Sequence, residues 1–149
     1  MEARALERYL HMHIPLSGAM GVAVRAASPE GVTLAVPLAP NINHRDTLFG
    51  GSAAAAAILS AWALIYVRLQ AAGMGGRIVI HAQRMHYDRP VDSDCLAAAY
   101  PPEDEAWGRA MAALRRRRMA RLVVQAGITQ GDTAACSFEG EFVILPVGT

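Results

Sequence analysis

The sequence predicts an α+β fold, a curved antiparallel sheet of about six strands wrapped around one long, buried central helix. Three observations carry this. Residues 53–67, AAAAAILSAWALIYV, are apolar or small on every side of a helical wheel, and a helix without a polar face has to be buried. Two strand-like runs precede it and four follow, each bounded by turn residues. The apolar face of such a sheet needs a cover and the helix needs burial, so each supplies what the other lacks.

The elements follow in order. Residues 2–13 carry Leu6, Tyr9, Leu10 and His13 at helical spacing, and Pro15 stops that helix. Residues 20–26 alternate as a strand, and Ser28-Pro29-Glu30-Gly31 has turn chemistry. Val32, Leu34, Val36 and Leu38 alternate as a second strand. Pro37 falls within that run and cannot donate to a ladder, which predicts a sheet edge or a bulge there. Residues 41–49 read as a mostly polar loop. Gly50-Gly51-Ser52 opens the long helix, which reaches about Ala71 and ends at Gly73, Gly75 and Gly76. Residues 77–88 form a long strand closed by Arg89-Pro90, and residues 95–100 a fourth strand. Pro101-Pro102 starts a short helix over residues 103–114. Residues 119–130 and 133–145 are the last two strands, joined at Gly131-Asp132. With no repeat, linker or low-complexity tract, a single domain over residues 1–149 is expected.

One subunit cannot cover an all-apolar helix completely, nor easily protect a long edge strand. A homodimer joining two sheets edge to edge is therefore expected, and pairing of dimers into a tetramer is left open.

Composition excludes several function classes. A net charge of +1 gives no reason to expect nucleic-acid or membrane binding. Every basic residue is Arg, so no lysine exists to form a Schiff base. Cys95 and Cys136 lie far apart in sequence and lack zinc-ligand spacing; two free, buried thiols are expected, and no metal. His81 and His86 share a strand but fall on opposite faces by alternation. The N-terminal residues lack the apolar core of a signal peptide, and residues 53–67 fall short of the roughly 20 needed to span a bilayer. A cytoplasmic protein without a membrane span is the expectation.

Four segments carry a resemblance: Ile14-Pro15-Leu16-Ser17, then Ala39-Pro40-Asn41-Ile42-Asn43-His44, then Thr47-Leu48-Phe49-Gly50-Gly51-Ser52, and Tyr87-Asp88-Arg89-Pro90-Val91. In order and spacing they resemble the bacterial YiiD C-terminal thioesterase family over nearly the whole chain. That resemblance implies a hot-dog fold acting on acyl thioesters of coenzyme A or acyl carrier protein. No cofactor is implied beyond the coenzyme A or phosphopantetheine carried in the substrate. A looser likeness reaches the phenylacetyl-CoA-type thioesterases: Asn43 falls at their Asn and Gly50-Gly51 at their two glycines. Phe49 stands where they have His, Asp46 where they have Gly, and Ile58 where they place a carboxylate base in the central helix.

Physical chemistry supports part of this. Unpaired N–H groups at a helix start sit at the positive end of the helix dipole, and glycines there let a substrate approach the backbone. Gly50 and Gly51 are thus candidate oxyanion donors. Asn43 offers an uncharged donor and acceptor that would orient water or the thioester; its competing reading is a loop Asn in an Asx-turn. His44 and Asp46 are candidate acids or bases, or plain surface loop residues. Phe49 and Ser52 flank the helix start and are expected to contact substrate. Ser60 and Trp62 either line the acyl pocket or pack the core. Arg115, Arg116, Arg117 and Arg118 form the one charge run, suited to phosphate or an acidic carrier surface, with a solvated helix end as the alternative.

Two reactions fit. Hydrolysis needs an activated water, yet residues 52–67 contain no acid, so a base must come from His44, Asp46 or a partner subunit. Decarboxylation of a malonyl thioester, an activity the resemblance also implies, needs only donors for the enolate oxygen. A non-catalytic acyl-binding module is the third reading.

Overall fold

The computed structural model describes residues 1–148. Leu6 and Leu10, one turn apart on α1 (Ala3–His13), are both buried. The helix breaks at Ile14, but Pro15 immediately occupies the first turn of a second, short helix, α2 (Pro15–Ala19). Proline is tolerated there because that N–H has no intrahelical partner in any case. The expected strand at residues 20–26 therefore starts late. Met20 caps α2, Gly21 turns the chain at φ +71°, and β1 is Ala23–Ser28.

The remaining elements fall close to expectation. They are β2 (Gly31–Val36), α3 (Gly50–Ala71), β3 (Arg77–Tyr87), β4 (Cys95–Ala99), α4 (Asp104–Arg115), β5 (Ala120–Gln130) and β6 (Thr133–Leu145). They build one antiparallel sheet of order β1-β2-β4-β5-β6-β3. β2 is an interior strand, so the prediction that Pro37 marks an edge or bulge fails. The strand ends at Val36, and Pro37 lies just past it, where no ladder needs its N–H.

α3 is packed against the sheet. Ala56, Ala57, Ala61, Ala63, Leu64 and Ile65 are completely buried, and alanines at that density let the helix axis lie close to the strands. At 22 residues α3 is longer than the run counted from sequence, and by length and composition it could cross a membrane. Its burial among the strands identifies it as the core helix.

One stripe of α3 stays half-buried: Ile58, Trp62 and Tyr66, spaced four residues apart. Tyr9 of α1 stacks on Tyr66 with ring centroids 4.4 Å apart. Trp62 Nε1 donates to Ile78 O of β3 at 3.0 Å. β3 itself lies at the sheet edge with Val79 and Ile80 exposed by 47% and 38%. Its register with β6 slips between Ile80 and Ala82, so His81 sits in a bulge, where strict alternation no longer sets its face relative to His86. Cys95 and Cys136 are free and buried, as expected.

Candidate active site

The start of α3 is built by the loop before it and the turn after β3. Phe49 is the N-cap residue, and the first helix-closing bond runs from Ala53 N–H to Phe49 O at 3.0 Å. The N–H groups of Gly50, Gly51 and Ser52 take no partner among the described residues, as the first turn of any helix predicts. The mouth is held rigidly. Phe49 N–H donates to Asn41 O at 2.8 Å and Leu48 N–H to Val91 O at 2.7 Å. Asn41 is itself buried, its carboxamide donating to Met20 O at 2.9 Å and Pro37 O at 2.8 Å.

A cavity of about 220 Å³ opens between this helix start, at Leu48, Gly50 and Ala53, and the turn at residues 87–91, with Cys136 of β6 also on its wall. Tyr87 hydroxyl donates to Gly50 O at 3.1 Å. Asp88 N–H and Arg89 N–H both donate to Ala135 O, at 2.9 and 3.0 Å, which fixes the turn on β6. Asp88 thus lines the cavity that also holds Gly50, and its charge acts on the Cys136 thiol on the same wall. Burial pushes the Cys136 thiol above its ordinary pKa, and the nearby Asp88 charge adds to that. Cys95 is pushed up to about 11, chiefly by burial, then by the charges of Cys136 and Asp94. Neither thiol is a ready nucleophile.

The structure rearranges several sequence expectations. Asn43 does not line this cavity. Its Oδ1 accepts from Arg45 N–H at 2.9 Å and Thr47 N–H at 3.1 Å, and its Nδ2 donates to Thr47 Oγ1 at 2.9 Å. This is the Asx-turn reading: a carboxamide at the start of a tight loop satisfies the loop's own N–H groups. Asp46, at φ +62°, sits at the tip of that loop in the left-handed region, and His44 beside it is exposed; neither reaches the cavity wall. Phe49 is exposed, and its ring lies where a Cβ on Gly51 would collide with it. The ring thereby screens the Gly51 side of the mouth, while Gly50 faces the cavity.

Ser52 is half-buried in the first turn. Ser60 is completely buried with its hydroxyl on Ala57 O at 2.8 Å, a core role. Trp62 is tied to β3 through Ile78 and lies off the cavity. Arg115, Arg116, Arg117 and Arg118 are exposed at the end of α4. There Arg117 takes φ +59°, its N–H bonded to Leu114 O, and Arg118 N–H bonds Ala113 O, the pattern of a Schellman cap. Tyr87, Asp88 and Arg89 line this cavity and are not among the site residues the sequence singles out. In the sequence the segment reads as a strand-closing turn and as one carrier of the family resemblance; its contact with the helix start comes from the β3–β6 pairing.

A family model described as "Putative thioesterase (yiiD_Cterm)" matches residues 3–146. The chain belongs to that family. Among solved structures, a protein of unknown function from Chlorobaculum tepidum is 27% identical with a TM-score of 0.88, over 97% of this chain and 94% of that one. A protein described as a putative thioesterase from Shewanella oneidensis is 26% identical at the same TM-score, over 97% of both chains. The E. coli PaaI protein from the phenylacetic acid degradation operon, 14% identical with a TM-score of 0.72 over 96% of this chain and 93% of that one, shares the fold. The architecture is the hot-dog fold, as the sequence resemblance implied.

Proposed function

We propose that the protein hydrolyses acyl thioesters of coenzyme A or acyl carrier protein at the mouth of α3. The observation that supports this most is the set of unpaired first-turn N–H groups, with Gly50 on the wall of a cavity that Asp88 also lines. A thioester carbonyl oxygen placed against the Gly50 amide has a donor and the positive end of the helix dipole to receive its developing charge. Asp88 removes a proton from water as the water oxygen bonds to the carbonyl carbon. The tetrahedral intermediate collapses, the C–S bond breaks, and the thiolate leaves, protonated by the Asp88 carboxylic acid. Asp88 thereby supplies the base that the acid-free central helix lacks.

The catalytic form is a homodimer paired through the exposed edge of β3. Asn43 acts as a positioning residue: it sets the loop that ends in the Phe49 cap rather than touching substrate. Arg89, on the cavity wall, is suited to a polar group of the substrate near the carbonyl.

Hydrolysis is tested by thiol release from a series of acyl thioesters. Asp88→Asn is expected to lower the rate by about 10²–10⁴-fold while circular dichroism stays that of the parent. Malonyl thioester serves as the control. Should Asp88→Asn convert it to the acetyl thioester as fast as the parent does, the donors alone carry the chemistry, and decarboxylation replaces hydrolysis as the reading.

A further inference from the structure

The cavity at the mouth of α3 has two unlike ends. Tyr87, Asp88, Arg89 and Pro90 are exposed and make its rim. Leu48, Ala53, Val91 and Cys136 are buried and make its floor, and all four belong to the hydrophobic core. The floor is tied together from both sides. Leu48 N–H donates to Val91 O at 2.7 Å, and Cys136 stands opposite Ile128 of β5 and Tyr87 of β3 in the sheet.

The depth of the cavity follows from the helix. Residues three or four apart share a helix face, so the wall passes from Gly50 to Ala53 and would pass next to Ala56 and Ala57. Those two are completely buried and do not line the cavity. The floor therefore lies three residues past Gly50, about 4.5 Å along the axis. A fully extended chain advances about 1.2 Å per bond, so about four carbons beyond a carbonyl at Gly50 reach it. The volume gives a similar figure. A dry cavity of about 150 Å³ holds a benzene ring, and this one measures about 220 Å³ with its rim open. Polarity narrows the ligand further. No floor residue carries a charge, so a carboxylate at the far end of the chain would be buried without a partner. Arg89, the one cation on the wall, is exposed at the rim.

We infer that the site selects short, uncharged acyl groups of about four to six carbons, with Ala53 and Val91 setting the length. The inference rests on the thioester reading of this site, which by itself leaves the chain length open. A second copy paired through β3 reaches the rim at Tyr87. The floor is buried within one chain and offers that copy no surface, so the limit belongs to the single subunit.

Thiol release is measured across the coenzyme A thioesters of acetate, butanoate, hexanoate, octanoate and dodecanoate, with succinate as the charged chain. From acetyl to the butanoyl–hexanoyl range, kcat/KM is expected to rise by about threefold to fivefold per methylene. At dodecanoyl it should fall by about tenfold or more, and succinyl should lie about tenfold or more below butanoyl. Val91→Ala removes methyl groups from the floor and keeps the main-chain bond from Leu48; Ala53→Val adds them. The first should move the optimum longer by roughly one or two carbons, and the second should move it shorter by as much. A damaged fold lowers every substrate alike, so the readout is the octanoyl-to-butanoyl ratio, which rises in Val91→Ala and falls in Ala53→Val. A parent that hydrolyses the dodecanoyl thioester as fast as the butanoyl overturns the inference and leaves hydrolysis standing. A ratio that moves in neither variant does the same. If no thioester releases thiol, hydrolysis falls, and titration calorimetry with butanoyl- and dodecanoyl-coenzyme A reads the floor instead. Tighter binding of the butanoyl thioester, with the preference narrowed in Val91→Ala, then supports the length limit; equal binding of the two, or none, overturns it.

Discussion

Gly50→Ala separates the chemistry of the helix mouth from the stability of the fold. A Cβ built on Gly50 meets Tyr87 Cε1 at 3.5 Å, Cζ at 3.7 Å and the hydroxyl at 3.8 Å, ordinary van der Waals contact with no collision. Gly50 has no left-handed φ, so alanine fits its backbone. Alanine in place of glycine favours a helix by up to about 1 kcal/mol in the interior, and less at a first-turn position. The variant should therefore melt at the parent's temperature or up to roughly 2–4 °C above it. Its methyl group, however, adds bulk against Tyr87 on the wall of the cavity proposed to take the carbonyl oxygen. Displacing that oxygen by about 1 Å, or losing one oxyanion donor, costs on the order of 10²–10³ in kcat. Thermal denaturation and steady-state thiol release on the same preparation give both numbers. A folded variant with kcat/KM within about twofold of the parent would refute the placement of the oxyanion at this amide. Activity and melting temperature falling together would show instead that the methyl group disrupts the fold.

Four further outcomes are expected. Tyr87→Phe removes the bond to Gly50 O, so stability should fall by about 0.5–1.5 kcal/mol, read by urea denaturation. Cys95 has a raised pKa when folded, so its contribution favours the folded state below the unfolded thiol pKa and is lost as pH climbs through the folded value. Stability should accordingly decline between about pH 9 and pH 11, and Cys95→Ala should flatten that limb of the curve. Arg117→Gly relieves a left-handed residue at the α4 cap and should raise stability by about 0.5–1 kcal/mol without changing turnover. Val79→Lys places a charge on the exposed edge of β3, and light scattering should show the dimer dissociating; an unchanged mass would remove β3 from the interface.

Much of the fold was legible because its strongest signal is compositional. A helix of fifteen apolar or small residues admits few environments, and the glycines on either side fixed its ends at Gly50 and Ala71. The failures were local. Pro15 reads as a stop, yet the same fixed φ that ends α1 starts α2 one residue later, and this delays β1. Pro37 was read within a strand because Leu38 continues the alternation, although the ladder has already ended at Val36. The site was less legible for a different reason. Asn43 and Gly50 are near neighbours in sequence, which suggested a shared role, but a carboxamide seven residues before a helix can serve its own loop, as Asn43 does through Arg45 and Thr47. Asp88 is far from Gly50 in sequence and shares a cavity with it only through sheet pairing, which no local pattern reports.

On the hydrolytic reading proposed above, the composition of α3 also explains why a base would have to come from outside that helix. A carboxylate within a helix so deeply buried would need a partner of opposite charge or a raised pKa to remain in the core. Along the Gly50–Ala71 helix the only charged side chain is Arg68, which lies near the far end and is taken up by Pro29 O and the Trp107 ring. The end of an edge strand is the nearest place where a carboxylate can stay hydrated and still face the helix mouth. Asp88 occupies that position, one residue past β3, on a turn whose N–H groups are anchored to Ala135 of β6. Because that anchor lies within the same chain, pairing of β3 with a second copy can shape the acyl pocket without being needed to place the base. Monomeric variants made through Val79 should consequently lose substrate affinity before turnover loses its sensitivity to Asp88→Asn.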